Sequence, residues 1–162
     1  MGVPRYRNYF ITIHKSAECF NSVYDIIDGL NYKLYACIIH DKDINLDNGE
    51  ITPPHYHLVL ELKNGITFES CRKKFKGAHI KLIDSNINVC YQYLLHNSIH
   101  SLEKYNYDID YIVSNDIESV KLAITNECGL RVYRKKSLSR NTLKPHSFVI
   151  ASFTLSISLL TM

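Results

Sequence analysis

The chain has no CxxC pair, although five cysteines, Cys19, Cys37, Cys71, Cys90 and Cys128, are scattered along its 162 residues. An odd, dispersed set fits neither a thiolate zinc site nor a disulfide framework, and reads as small buried side chains in a reducing compartment. Charge of one sign is also scarce: 19 Lys and Arg stand against 16 Asp and Glu, a formal charge of +3. Such a balance permits nucleic-acid binding without identifying it, so local placement of charge has to carry that argument. The uncharged end, residues 147–162, is shorter than the roughly 20 apolar residues that span a bilayer, so no membrane span is expected. The beginning, "MGVPRYRNYF", lacks an apolar core followed by a cleavage site, so no signal peptide is expected either and the expected location is cytoplasmic. Without internal repeats, the length predicts one ordinary domain with at most a short appendage.

What is present alternates between two periodicities. "YFITI" (9–13), "YKLYACIIH" (32–40), "HYHLVLEL" (55–62) and "AHIKLI" (78–83) are rich in aromatic and β-branched residues and read as strands. Between them, the stretch from Ser16 to Gly29 carries Phe20, Val23, Tyr24 and Ile27 at helical spacing, with Ser16 as the expected N-cap. "TFESCRKKF" reads as a second helix capped by Thr67. "INVCYQYLLH" (87–96) reads as a third, and a further helix is expected near 116–124. Residues 41–54 form a polar connection, with a turn at Asn48-Gly49 and helix excluded by Pro53-Pro54. The order β-α-β-β-α-β-α predicts an α+β fold: a ferredoxin-like antiparallel sheet with two helices on one face and the third near the open face.

The densest chemistry lies at one end of that sheet. In "PPHYHLVLEL", strand alternation sends His55 and His57 to one face, while Tyr56, Leu58 and Leu60 point into the helix-covered core. Two imidazoles on one pleat suit a borderline divalent metal but need further ligands. "HDKD" at 40–43 offers them: His40 ends the preceding strand and Asp43 turns back over it, with Asp41 and Asp47 as alternatives. On the third helix, at 100° per residue, Ile87, Cys90, Tyr91, Leu94 and Leu95 share one apolar sector, and Tyr93 lies outside it beside Val89 and His96. Tyr91 is thus the core tyrosine and Tyr93 the available one. His96 either orients Tyr93, accepts its proton, or is solvated, and Gln92 is turned 100° away.

"HDKD", "PPHYHLVLEL" and "YQYLLH", in this order and spacing over about residues 6–115, resemble the initiator proteins of rolling-circle plasmid replication, a branch of the His-hydrophobe-His endonucleases. The resemblance implies an origin-binding and nicking domain, residues 1–115, followed by a short C-terminal extension, 116–162, that reads as a truncated assembly region. It implies metal ligands His40, Asp43, His55 and His57 for a divalent ion, Mn²⁺ first and Mg²⁺ as the alternative. It places the nucleophile at Tyr93, with Tyr91 the competitor. Nicking through a 5′-phosphotyrosine would leave a 3′ hydroxyl primer and retain the energy of the broken bond for reclosure, a topoisomerase-like activity. Implied partners are plasmid origin DNA, duplex and single-stranded at the nick, a host helicase and polymerase, and a homo-oligomer.

For duplex contact, Arg72, Lys73 and Lys74 form the best phosphate-contacting patch, with Lys63 and Lys76 nearby, and Lys42 would meet a phosphate close to the metal. Arg5, Arg7, His79 and Lys81 are further candidates. Rival readings are a relaxase or single-strand transposase of the same superfamily, and a nucleic-acid-binding sheet without nicking activity that displays aromatics such as Tyr9, Phe10 and Tyr35.

Overall fold

The structure, a computed structural model, describes residues 2–45, 47–84, 86–97, 101 and 104–125. Cys128, the basic run at 131–140 and the uncharged end lie outside the described residues. Five strands, β1 (Tyr6–His14), β2 (Tyr32–His40), β3 (His55–Ile66), β4 (His79–Leu82) and β5 (Val113–Ser114), form one sheet in the order β4-β1-β3-β2-β5. All pairings are antiparallel. The first four strands thus have the ferredoxin-like arrangement expected, and the two-residue β5 adds an edge that the sequence does not announce.

The long central β3 is paired along both edges, and because helices cover both faces of the sheet its alternate residues enter two separate cores. Leu58, Leu60 and Leu62 join Tyr9, Ile11, Ile13, Tyr35 and Cys37 in one core. Two short helices, α1 (Val23–Asp28) and α2 (Phe68–Lys74), cover that face, contributing Val23, Ile27, Cys71 and the adjacent Phe75. Val59 turns the other way, into a second core with Ala36, Ile38, Tyr91, Leu94, Leu95, Tyr107 and Ile112. This face is covered by α3 (Ile87–Leu94) and α4 (Ile117–Thr125), the latter through Val120 and Ile124. α4 begins the stretch set apart as a C-terminal extension, and it packs on α3 inside the second core.

Local chemistry explains the element ends. The Thr67 hydroxyl accepts the Ser70 N–H at 3.1 Å and caps α2 as expected, and Asn86 caps α3 by accepting from Asn88 N at 3.0 Å. The first helix is shorter than its apolar spacing suggests. A 3-10 turn over Phe20–Ser22 precedes it, and Ser22, not Ser16, stands at its N-cap without a side-chain cap bond. The β2–β3 connection closes as a small hairpin: Ile44 bridges Ile51, and Gly49 turns it at φ +73°, a conformation that favours glycine. All four described cysteines are free, three of them buried, in keeping with small core side chains. Among the described residues, no helix is long and apolar enough to cross a membrane.

Candidate metal centre

Strand register assembles the site. Pairing places His40 opposite His55 on one side and His14 opposite His55 on the other, so three histidines form a row across β2, β3 and β1. The next row on the same face holds Ile38, His57 and Thr12. His40, His55 and His57 are buried, whereas His14 is exposed and its ring stacks on His55 at 5.5 Å.

Asp43 leaves β2 and folds back over these rings, its carbonyl accepting the Thr52 N–H at 2.8 Å across the hairpin base. Its carboxylate lies 3.6 Å from His40 Nδ1 and 4.0 Å from His55 Nε2. His96 completes the enclosure: its Nδ1 is 3.6 Å from the other Asp43 oxygen, and its ring centre is 4.3 Å from that of His40. The structure therefore brings His40, Asp43, His55 and His57 together. Asp41 and Asp47, the alternative ligands, are exposed.

The solvated reading of His96 is corrected by its complete burial. α3 ends at Leu94, and His96 takes a φ of +55°, uncommon for a residue with a side chain. That turn swings the ring inward, and Nδ1 donates to the Tyr105 carbonyl at 2.7 Å. Gln92 is also buried, at 3 % exposure.

The donor chemistry fits a divalent cation. His40 Nε2 donates to the Leu94 carbonyl at 2.7 Å, and His55 Nδ1 to the Pro53 carbonyl at 3.1 Å. A carbonyl can only accept, so these bonds fix the tautomers and leave His40 Nδ1 and His55 Nε2 with outward lone pairs. His57 Nδ1 pairs with the Thr12 hydroxyl at 3.1 Å, and in the tautomer in which that hydroxyl accepts, Nε2 keeps its lone pair. Anchoring one ring nitrogen while presenting the other is how metal-binding histidines are oriented.

His40 Nδ1 and Asp43 Oδ1 are buried without a hydrogen-bond partner among the described residues. Such atoms carry a desolvation cost that a bound cation offsets. Ligand atoms of His40, His55 and His57, and separately of His40, Asp43 and His96, lie within 4.8 Å of one another.

Electrostatics prepares the same state. Burial, reinforced by the charge of His40, His55, His96 and Lys104, holds His57 well below the usual histidine range. Burial likewise lowers His55, and it lowers His96 to about 4. Burial opposes ionisation of Asp43, but interaction with His40 and the charges of His96 and Lys104 outweigh it and hold the carboxyl below its ordinary value. The shifts favour neutral His55, His57 and His96 beside an ionised Asp43, protonation states that a metal requires.

The two tyrosines of α3 part as their helical positions predict. Tyr91 is 1 % exposed, and its hydroxyl donates to Glu61 at 2.7 Å. Burial, then the bond to that carboxylate, pushes the hydroxyl's pKa up. Tyr93 is half-buried, with its ring edge-on to His57 at 5.4 Å and to His96 at 5.5 Å. Lys104 Nζ donates to its hydroxyl at 3.3 Å.

The basic candidates are spread out. Lys42 is beside the cluster, whereas Arg72, Lys73 and Lys74 are exposed on α2, across the sheet from the histidines. Arg72 is paired with Glu69 at 3.2 Å, and Lys76 with Glu18 at 3.2 Å. The aromatics proposed for a bare binding sheet are not displayed: Tyr9 and Tyr35 are buried, and Phe10 lies under His57 and Tyr93.

An α+β sheet with a buried His/Asp cluster able to hold a divalent ion is a metal-binding domain. The family model for the plasmid replication protein origin binding domain matches residues 4–119, and the chain belongs to that family. DNA is accordingly its partner, and its function is that of a metal-binding, DNA-associated replication initiator. Among curated proteins no match is found.

Proposed function

We infer that the domain nicks one strand of a plasmid origin, with Tyr93 as the nucleophile. The observation that carries this reading is the opposite placement of neighbouring tyrosines: Tyr91 is sealed in the core against Glu61, while Tyr93 stands half-open beside His57. His40, Asp43, His55 and His57 would hold the cation, and three imidazoles with one carboxylate favour Mn²⁺ over Mg²⁺. When bound, the ion supplies Lewis-acid polarisation of a phosphate oxygen and offsets the charge that develops in the transition state.

A phenol has a reference pKa near 10 and is a weak nucleophile at neutral pH unless positioned and assisted. Here α3 fixes the Tyr93 ring against His57 and Phe10, and the Lys104 ammonium faces the hydroxyl where negative charge collects as the proton leaves. Attack by Tyr93 Oη forms an oxygen–phosphorus bond and breaks the bond to the 3′ oxygen, which takes up a proton. One strand end becomes a 5′-phosphotyrosine and the other a 3′ hydroxyl. The free 3′ end would prime a host polymerase behind a host helicase, and the retained linkage would allow reclosure. Arg72, Lys73 and Lys74, across the sheet, would grip duplex phosphates while Lys42 serves the strand at the nick.

The test is incubation with Mn²⁺ and circular single-stranded DNA carrying the origin of the same replicon, followed by denaturing gels before and after protease. Wild type and Tyr91→Phe should give a protein-linked 5′ end, and Tyr93→Phe should give at least about a thousandfold less. Loss in Tyr91→Phe with retention in Tyr93→Phe would reverse the assignment. No linked product from wild type would reduce the protein to origin binding.

A further inference from the structure

Nicking requires unpaired nucleotides to be held beside Tyr93, and the inference made here rests on that reading. Two tyrosines next to the buried cluster face solvent: Tyr105 is 44 % exposed and Tyr111 45 % exposed. Lys42 lies between them, its ammonium 4.5 Å from the Tyr111 ring centre and 5.3 Å from that of Tyr105, and donating to the Tyr111 hydroxyl at 2.8 Å.

Beneath this pair sits buried Tyr107, edge-on to Tyr105 at 4.9 Å and to Tyr111 at 6.1 Å. The Tyr107 ring lies flat on His40, 4.3 Å away with 5° between the planes, and its hydroxyl accepts the Lys42 N–H at 2.9 Å. The exposed rings are therefore one ring removed from a member of the metal cluster. Lys104, which reaches Tyr93, immediately precedes Tyr105.

Charge indicates what such a surface recognises. Lys42 and Lys104 are accompanied by exposed Asp41, Asp108 and Asp110, so the patch has no net positive field to track a phosphate backbone. Its distinguishing property is two solvent-exposed aromatic side chains, and the π-faces of unpaired bases, taking the place of Lys42 over those rings, are their natural complement. We propose that Tyr105 and Tyr111 form a stacking platform for unpaired bases of single-stranded DNA flanking the nick, with Lys42 between them bonding to a single phosphate. In duplex DNA the base faces are covered by their neighbours, so the platform selects single strands.

The test uses the full chain in EDTA, where cleavage does not interfere, and fluorescence anisotropy of a labelled oligothymidylate and of an abasic strand of equal length. Tyr105→Leu and Tyr111→Leu should each weaken oligothymidylate binding roughly 5- to 150-fold, with Tyr→Phe at the same positions within about threefold of wild type. Wild type should bind the abasic strand at least as weakly as either leucine variant binds oligothymidylate, and its loss between the two strands needs no variant to fold. Leucine variants that bind oligothymidylate like wild type, an abasic strand bound as tightly as the intact one, or duplex competing equally with single strand would each overturn the platform. Tyrosine-dependent binding without a Mn²⁺-dependent covalent product would sink the nicking reading and leave the platform standing. Nicking by wild type, with leucine variants that bind and cut equally well, would do the reverse.

Discussion

The two faces of the sheet share the same strands yet do different work. Under α1 and α2, β2 and β3 present Tyr35, Cys37, Leu58 and Leu60 to a core whose buried side chains are almost wholly apolar. Under α3 and α4 the alternate residues begin in the same way, with Ala36, Ile38 and Val59, and then give way to His40, His55 and His57 at one end. A shift of one residue along β3 separates a side chain that packs in the apolar core from one that faces the candidate metal cluster. On the first face the buried Tyr9 hydroxyl finds a protein partner, donating to the Ile66 carbonyl at 2.9 Å. The second also buries His40 Nδ1 and Asp43 Oδ1 without a hydrogen-bond partner among the described residues, a cost that a bound cation would offset.

Breaking the first face should have the largest effect on folding. Leu58→Ala, fully buried in the first core, should cost about 2–5 kcal/mol in urea unfolding, with little change in Mn²⁺ affinity of the folded fraction. His57→Ala, one residue away, should weaken Mn²⁺ binding at least about a hundredfold by calorimetry, while lowering metal-free stability less than Leu58→Ala does. Equal losses of stability in both variants would erase the distinction between the faces.

Acidity should sharpen it further. His55, His57 and His96 are held below the ordinary histidine value of 6.5 in the fold, His96 at about 4. The unfolded chain therefore takes up protons first. Their contribution is fully present above about pH 6.5, shrinks as pH falls, and is lost below the folded values. Metal-free protein should lose roughly 1.4 kcal/mol per group for each pH unit of depression, read from urea midpoints between pH 7 and 4. The Leu58→Ala curve should run parallel to wild type, since its defect lies on the face without histidines. The smallest effect is expected from Thr12→Val, which removes the hydroxyl paired with His57 Nδ1. Mn²⁺ affinity should fall about 10- to 100-fold with the fold intact.

Alternation and helical spacing made much of this legible in the sequence. His55 and His57 share a face because strand geometry leaves no other choice, and the separation of Tyr91 from Tyr93 follows from 100° per residue. His96 was out of reach of that rule because the helix ends two residues before it. A left-handed backbone angle, not helical phase, sends its ring into the cluster. His14 joins the row through register between β1 and β3, which local pattern does not encode. β5 is two residues long, too short for any periodicity to show. Tyr107 is one of 12 tyrosines, and nothing in its neighbourhood of sequence marks it as the ring that would lie on His40.

The hairpin at Asn48-Gly49 separates candidate ligands that arrive from opposite directions: His40 and Asp43 come before it, His55 and His57 after it. A cation held by all four would fasten the two ends of that loop together and take over part of the entropic cost of closing it. The connection would thereby be relieved of part of its structural duty. It could then lengthen, or be severed by a protease at its tip, while the loaded centre added a tie to the β2–β3 ladder, the ion serving the architecture as a removable clasp.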